Sequence, residues 1–228
     1  MLAELADWSW WQVLFLGVVV NVATLAASVA LWELAVRRRG LVDLTRRPVR
    51  SEVWLTASTV AVNSIALVPA WWCWREGWIE LAPFGVGRTL VDLGYLFVGV
   101  ETAMYLVHRL FHLGVLYQWF HRIHHVPDRR MTSVALFVMH PLEAAGFASV
   151  LLILMALVDV TLASVVLFFG LNLLVGTLAH LPWRAGTPER WWDRWLGGAA
   201  LHQAHHEHER ADYGFFTQVW DRVLGTRS

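Results

Sequence analysis

Residues 11–50 read WQVLFLGVVVNVATLAASVALWELAVRRRGLVDLTRRPVR. Trp11–Val36 is long and apolar, and the loop 37–50 behind it carries six Arg. About 20 mostly apolar residues suffice to cross a bilayer as a helix. Arg-rich loops close to a span stay on the cytoplasmic side, so loop 37–50 is expected there and the N-terminus outside. The flank ahead of the span carries Glu4 and Asp7 and no Arg, and the apolar run is too long for a secretory signal.

The rest of the 228-residue chain fits the same class. Hydrophobic residues make up 57%, charged residues 16%, and the mean hydropathy is +0.48. Soluble domains carry about 25% charged residues. Val53–Trp74 and Thr89–Val107 read as further spans, the latter carrying Asp92 and Glu101. Val134–Leu157 and Val160–Ala179 flank Asp159 and read as a helical hairpin, spanning or re-entrant. Alternating from loop 37–50, sixteen Arg fall inside and two, Arg75 and Arg88, outside. Tryptophans such as Trp8, Trp10, Trp71, Trp78, Trp191 and Trp192 suit interfacial anchoring. A net charge of zero argues against a nucleic-acid partner. The single Cys73 excludes an internal disulfide or a thiolate cluster and reads as a small apolar helix residue.

Histidine is confined to one part of the chain. None lies in residues 1–107, and all eleven lie in 108–208. The Arg alternation, which uses no histidine, puts all of them on the cytoplasmic side. HRLFH (108–112) has two imidazoles at i and i+4. HRIHH (121–125) and HQAHH (202–206) each have three, at i, i+3 and i+4. Residues so spaced are neighbours on a helix surface, so each cluster is expected to aim at one point. Eight such imidazoles exceed the four ligands of one tetrahedral Zn and suit two ions. Imidazole suits Zn, Cu, Fe or Ni, whereas Mg and Ca prefer oxygen.

From Glu101 to Thr226 the chain resembles the fatty acid hydroxylase / sterol desaturase superfamily. The resemblance rests on HRLFH, HRIHH, HPLE (140–143), His180, HQAHH, DYG (212–214) and VWDRVLGT (219–226). It implies an all-α integral membrane helical bundle with a cytoplasmic histidine-rich helical cap. One domain would cover 1–228, with anchor helices in 1–88 and the catalytic region in 89–228. It implies a non-haem di-iron enzyme that uses O2 and two electrons to hydroxylate or desaturate a lipid. The carried-over metal ligands are His108, His112, His121, His124, His125, His180, His202, His205 and His206. Glu101, His140, Asn172 and Asp221 are expected around the ligands, Glu101 as acceptor of an imidazole N–H. His140 reads equally as a cap or a ligand. His208 reads as solvated. Asp212 stands where the family usually has Asn.

No Fe–S cysteine cluster and no G-x-G-x-x-G after a strand is present. Electrons are therefore expected from a separate ferredoxin or b-type cytochrome with its reductase, and the lipid from the bilayer. The expected location is a bacterial inner membrane with the site on its cytoplasmic face. A carotenoid hydroxylase-type enzyme and a non-enzymatic metal- or haem-binding membrane protein are the alternatives. A metalloprotease lacks its H-E-x-x-H helix, and a transporter places its ligands near the bilayer midplane.

Overall fold

The computed structural model describes residues 2–125, 130–184, 186–187 and 195–228. Its helices are α1 (Leu2–Ala6), α2 (Trp10–Arg38), α3 (Arg50–Arg75), α4 (Val86–Phe111), α5 (Gly114–Leu116) and α6 (Arg122–His125). They continue as α7 (Pro141–Leu157), α8 (Leu162–Ala179), α9 (Ala199–Glu207) and α10 (Val219–Val223). A π-helical turn, Tyr117–His121, joins α5 to α6. The only strands among the described residues are β1 (Leu81–Ala82) and β2 (Val160–Thr161), paired in parallel.

Four helices, α2, α3, α4 and α8, are long and apolar enough to cross a membrane. The distribution of side chains is that of a bundle in lipid. Phe15, Trp54, Leu90, Val91, Val166 and Phe169 are exposed, while Ser28, Thr59, Ser64, Asp92, Glu101, Ser164 and Thr177 are buried. Without water in the hydrocarbon layer, polar groups must find partners inside the protein. They do: Ser28 pairs with Thr177 at 2.8 Å, and Thr59 donates to the Phe137 carbonyl at 2.9 Å. A small residue permits close helix contact. A Cβ on Gly17 of α2 would meet the Ser64 carbonyl oxygen of α3 at 2.7 Å.

Two ends of the bundle are built from different parts of the chain. At one end, β1 after α3 pairs with β2 at the tip between α7 and α8. There Asp92 accepts from the Thr161 N–H at 2.8 Å and from Arg88 at 2.6 Å, and Arg88 also reaches the Asp159 carbonyl. At the other end, the Arg-rich loop meets the histidine region. Arg46 N–H donates to the Met131 carbonyl at 3.2 Å, and Arg184 binds Asp43 at 2.8 Å. Trp32 of α2 donates to the His180 carbonyl at 3.0 Å. The loops that the arginine pattern assigned to opposite sides thus lie at opposite ends.

The expected segment Val134–Leu157 needs correction. Its first seven residues do not continue the helix. They form a buried 3-10 turn, Ala135–Phe137, and α7 starts at Pro141 with His140 as N-cap. Proline at the first helical position fixes the start because it has no N–H to contribute there. The resulting 17 residues of α7 span about 25 Å, less than the roughly 30 Å hydrocarbon layer. Of the interfacial tryptophans, Trp191 and Trp192 lie outside the described residues.

The C-terminal segment is fastened to the bundle by one buried acid. Glu101, mid-α4, accepts from the Phe216 N–H at 2.7 Å and from the Thr217 N–H and hydroxyl at 2.9 and 2.7 Å. Phe216 then packs with Leu96, Val100 and Phe168 in the core. Glu101→Ala would leave two buried N–H groups unpaired, so we expect a loss of about 2–4 kcal/mol. A fall in the thermal midpoint in detergent, larger than for Glu101→Gln, is the check.

Candidate metal centre

Four chain segments bring their histidines to one place. His108 sits in the last turn of α4 and His112 caps that helix. His121 ends the π-helical turn, and His124 and His125 lie in α6. His180 caps α8, and His202, His205 and His206 lie on α9. All nine sequence-predicted ligands join one network of ring contacts, with centroids 4.2 to 6.4 Å apart. His140 and His208 stand outside it. His140 accepts from the Leu142 N–H and packs on Phe120, and exposed His208 turns back to the Ala204 carbonyl.

The clusters do not each aim at a single point, contrary to the sequence expectation. Ligand atoms of His108, His112, His121, His125 and His205 lie within 4.8 Å of one another, as do those of His124, His180 and His202. His206 belongs to neither set, but its Nε2 lies 3.1 Å from that of His202, at the edge of the second. Helix geometry explains the split. Relative to the first histidine, the residues three and four positions on sit at about −60° and +40°. In HRIHH, His121 and His125 share one point and His124 turns to the other. In HQAHH, His202 and His206 share the second point and His205 turns to the first. The two copies of the motif are interleaved.

Five of the nine rings are held by their Nδ1, whereas Nδ1 of His125 and of His206 is buried without a partner. Acceptors are the Tyr213 carbonyl for His108 at 3.0 Å and the Val138 carbonyl for His124 at 3.0 Å. Gly176 serves His180 at 2.8 Å and Ala211 serves His205 at 2.6 Å. The fifth is a carboxylate: His121 donates to Glu143 at 2.7 Å, both side chains being 2% exposed. An acceptor at Nδ1 puts the proton there and leaves Nε2 a bare lone pair. Two such lone pairs face each other, Nε2 of His108 lying 3.1 Å from Nε2 of His121, and Nε2 of His125 lies 3.1 Å from the same atom. Nε2 of His112, His180 and His205 is buried with no partner. Ligands at right angles about an ion with N–metal distances of 2.0–2.1 Å would be about 3 Å apart. The donor set therefore fits metal ions.

The carbonyl acceptors explain the DYG turn. Asp212 adopts φ 60°, the left-handed region, which Asn and Asp tolerate best among residues with a side chain. That kink lets the carbonyls of its two neighbours, Ala211 and Tyr213, reach His205 and His108. Asp therefore serves where the family has Asn. Its carboxylate accepts from Ser228, and Asp221 clamps the Tyr213 and Gly214 N–H groups at 2.9 and 2.7 Å. A Cβ at Gly214 would sit 2.1 Å from the Thr217 carbonyl oxygen.

Three expected neighbours of the ligands act differently. Glu101 reaches no imidazole: seven residues put it on the face of His108 but about 10 Å down the axis, where the tail fills it. Asp221 acts on His108 only through Tyr213. Half-buried Asn172 makes no side-chain hydrogen bond among the described residues and lies two turns from His180. Glu143 was missed by the sequence reading. Its signal was an acid in the first turn of an otherwise apolar helix, inside HPLE.

Burial and mutual repulsion keep the rings neutral. Desolvation holds His112 and His180 down to about 3 and His205 to about 4, with neighbouring imidazoles adding to the effect. Desolvation also lowers His121, His125 and His206. Unfolded histidine takes up its proton near 6.5, so between 6.5 and about 3 the unfolded chain binds more protons and stability is lost as the pH is lowered. Each ring contributes up to about 1.4 kcal/mol per pH unit there. Metal-free protein should accordingly lose its unfolding midpoint steeply from pH 7 to 5, and a flat profile would contradict neutral burial. Asp212→Val should cost about 1–2 kcal/mol through the left-handed backbone and lower metal content after purification, while Asp212→Asn should keep both.

Comparison with known proteins agrees with this geometry. The family described as fatty acid hydroxylase matches residues 93–226. A C-4 methylsterol oxidase of Schizosaccharomyces pombe is 26% identical over 83% of this chain and 67% of its own. A Delta(7)-sterol 5(6)-desaturase of Eremothecium gossypii is 26% identical over 65% of this chain and 40% of its own. A cholesterol 25-hydroxylase-like protein of Danio rerio is 28% identical over 68% and 62%. The matched region thus spans less than two thirds of the latter two relatives. No solved structure matches. With more than half its length matched, including every clustered histidine, the chain belongs to the fatty acid hydroxylase family.

Proposed function

We propose that this protein is a membrane-bound di-iron oxidoreductase that uses O2 and external electrons to hydroxylate or desaturate a C–H bond of a lipid, such as a sterol or fatty acyl chain. The observation that carries the reading is the convergence of bare imidazole Nε2 atoms into two groups. His108, His112, His121, His125 and His205 would hold one iron, and His124, His180, His202 and His206 the other. Bound iron supplies what side chains lack: reaction with O2 and two electrons to oxidise an unactivated C–H bond. The protein's share is to keep the imidazoles neutral and oriented and to exclude water.

A lipid substrate is supported by the surface beside the site. The exposed face of α4 continues through Leu106 and Leu110 into Leu113, Val115 and Trp119. These lead directly to the π-helical turn that carries His121. A lipid in the bilayer can therefore lie against the same segment that forms the centre. The sterol-acting names of the relatives point the same way. The two electrons come from a separate ferredoxin or b-type cytochrome with its reductase. The sixteen-to-two arginine split supports a site on the cytoplasmic face.

Anaerobically purified protein should hold close to two iron ions per chain, and His124→Ala and His205→Ala should each lower that number. Without a donor, pre-reduced protein should turn over at most once, and a donor with its reductase should sustain turnover. Heavy-oxygen gas should label a hydroxylated product, and a product two hydrogens lighter without label would mean desaturation. Label taken from water without reductant would indicate hydrolysis and defeat the reading. For orientation, cysteines introduced at 115 and 200 in a Cys73→Ser background should resist impermeant reagents in intact cells.

A further inference from the structure

The two groups of histidines differ in one respect that coordination by imidazole does not require. His121 is the hub of the first group, with Nε2 3.1 Å from two other ligand nitrogens. Its Nδ1 alone, among the five held rings, donates to a carboxylate. In the second group, the rings of His124 and His180 donate to neutral carbonyls. Glu143 itself is 1% exposed, its Oε2 is buried without a hydrogen-bond partner, and the backbone N–H of His140 is a further neighbour of the carboxyl. Among the described residues its one ion-pair partner is His121. No arginine reaches it there.

A carboxylate so deeply buried is tolerated when a positive charge compensates it. His121 cannot supply that charge while neutral. A divalent ion on the far side of the ring can. In return, the carboxylate makes the imidazole a more basic ligand and fixes its orientation, and loss of such a partner commonly costs about 10- to 100-fold in metal affinity. We infer that Glu143 is a positioning residue that makes the His108–His112–His121–His125–His205 group the tighter of two unequal metal sites, filled first. The inference rests on the two-metal reading above and adds the order and cause of loading.

Cobalt(II), titrated into the metal-stripped, detergent-solubilised protein under argon and followed by its visible absorption, tests this without turnover. Wild-type protein should bind in two phases. Glu143→Gln keeps the shape and an acceptor oxygen but removes the charge. It should weaken the first phase about 10- to 100-fold, leave the second in place and shift the absorption of the first ion. His124→Ala should abolish the weak phase and spare the tight one, and His205→Ala should do the reverse. That pair decides which group loads first even if Glu143→Gln fails to fold, and Glu143→Asp, which keeps the charge and should keep the first phase nearer to wild type, then tests the carboxylate. Two equal ions in the wild type, equal weakening of both phases in Glu143→Gln, or a tight phase lost with His124 would each overturn the inference while leaving two metal ions in place. Absence of any cobalt binding would instead remove the two-metal reading itself.

Discussion

Lone pairs that face one another at 3.1 Å inside a protein are an unfinished arrangement. The rest of the chain exists around that constraint. Rings that must stay neutral have to be buried, and five of these rings give their N–H to a named acceptor. Each acceptor then dictates a piece of structure. The Gly176 carbonyl is available because α8 ends at that point. The Val138 carbonyl is available because the segment before α7 forms a 3-10 turn instead of helix. The Ala211 and Tyr213 carbonyls are available because Asp212 takes a left-handed conformation.

The membrane helices make this possible by being rigid and by ending at one level. Histidines at the last turn of α4, at the cap of α8 and beside the cap of α7 need three helix termini at the same height. The opposite termini are levelled by the β1–β2 pair and by Asp92, which binds Arg88 and the Thr161 backbone. Glu101 fixes the C-terminal segment against α4. Glu101, expected from the sequence beside the metal ligands, thus serves to hold the frame.

Interleaving of the two H-x-x-H-H motifs has a chemical consequence. Each histidine group takes rings from both α6 and α9. Neither helix can move without disturbing both groups, so the separation of the two groups is set by the helix pair as a whole. Among the described residues, only the first group has a carboxylate against one of its rings, and that difference sets it apart from the second.

Apolar runs, arginine bias and histidine spacing together made much of this legible in sequence. The runs gave the spans because a bilayer demands a fixed apolar length. The arginines sorted the loops into two sets, which the fold places at two ends. Eight of the nine clustered histidines could be named because spacings of three and four residues bring side chains together on a helix, and His180 only through the family resemblance. What spacing could not tell was direction. It left open that His124 and His205 would turn away from their own motif-mates. It gave Glu101 the right face of α4 but the wrong height, and it passed over Glu143, whose partner His121 lies 22 positions earlier in the chain. Those outcomes depend on where separate segments meet, and only the tertiary structure decides that, because hydrogen-bond partners are chosen by distance in space and not by distance along the chain.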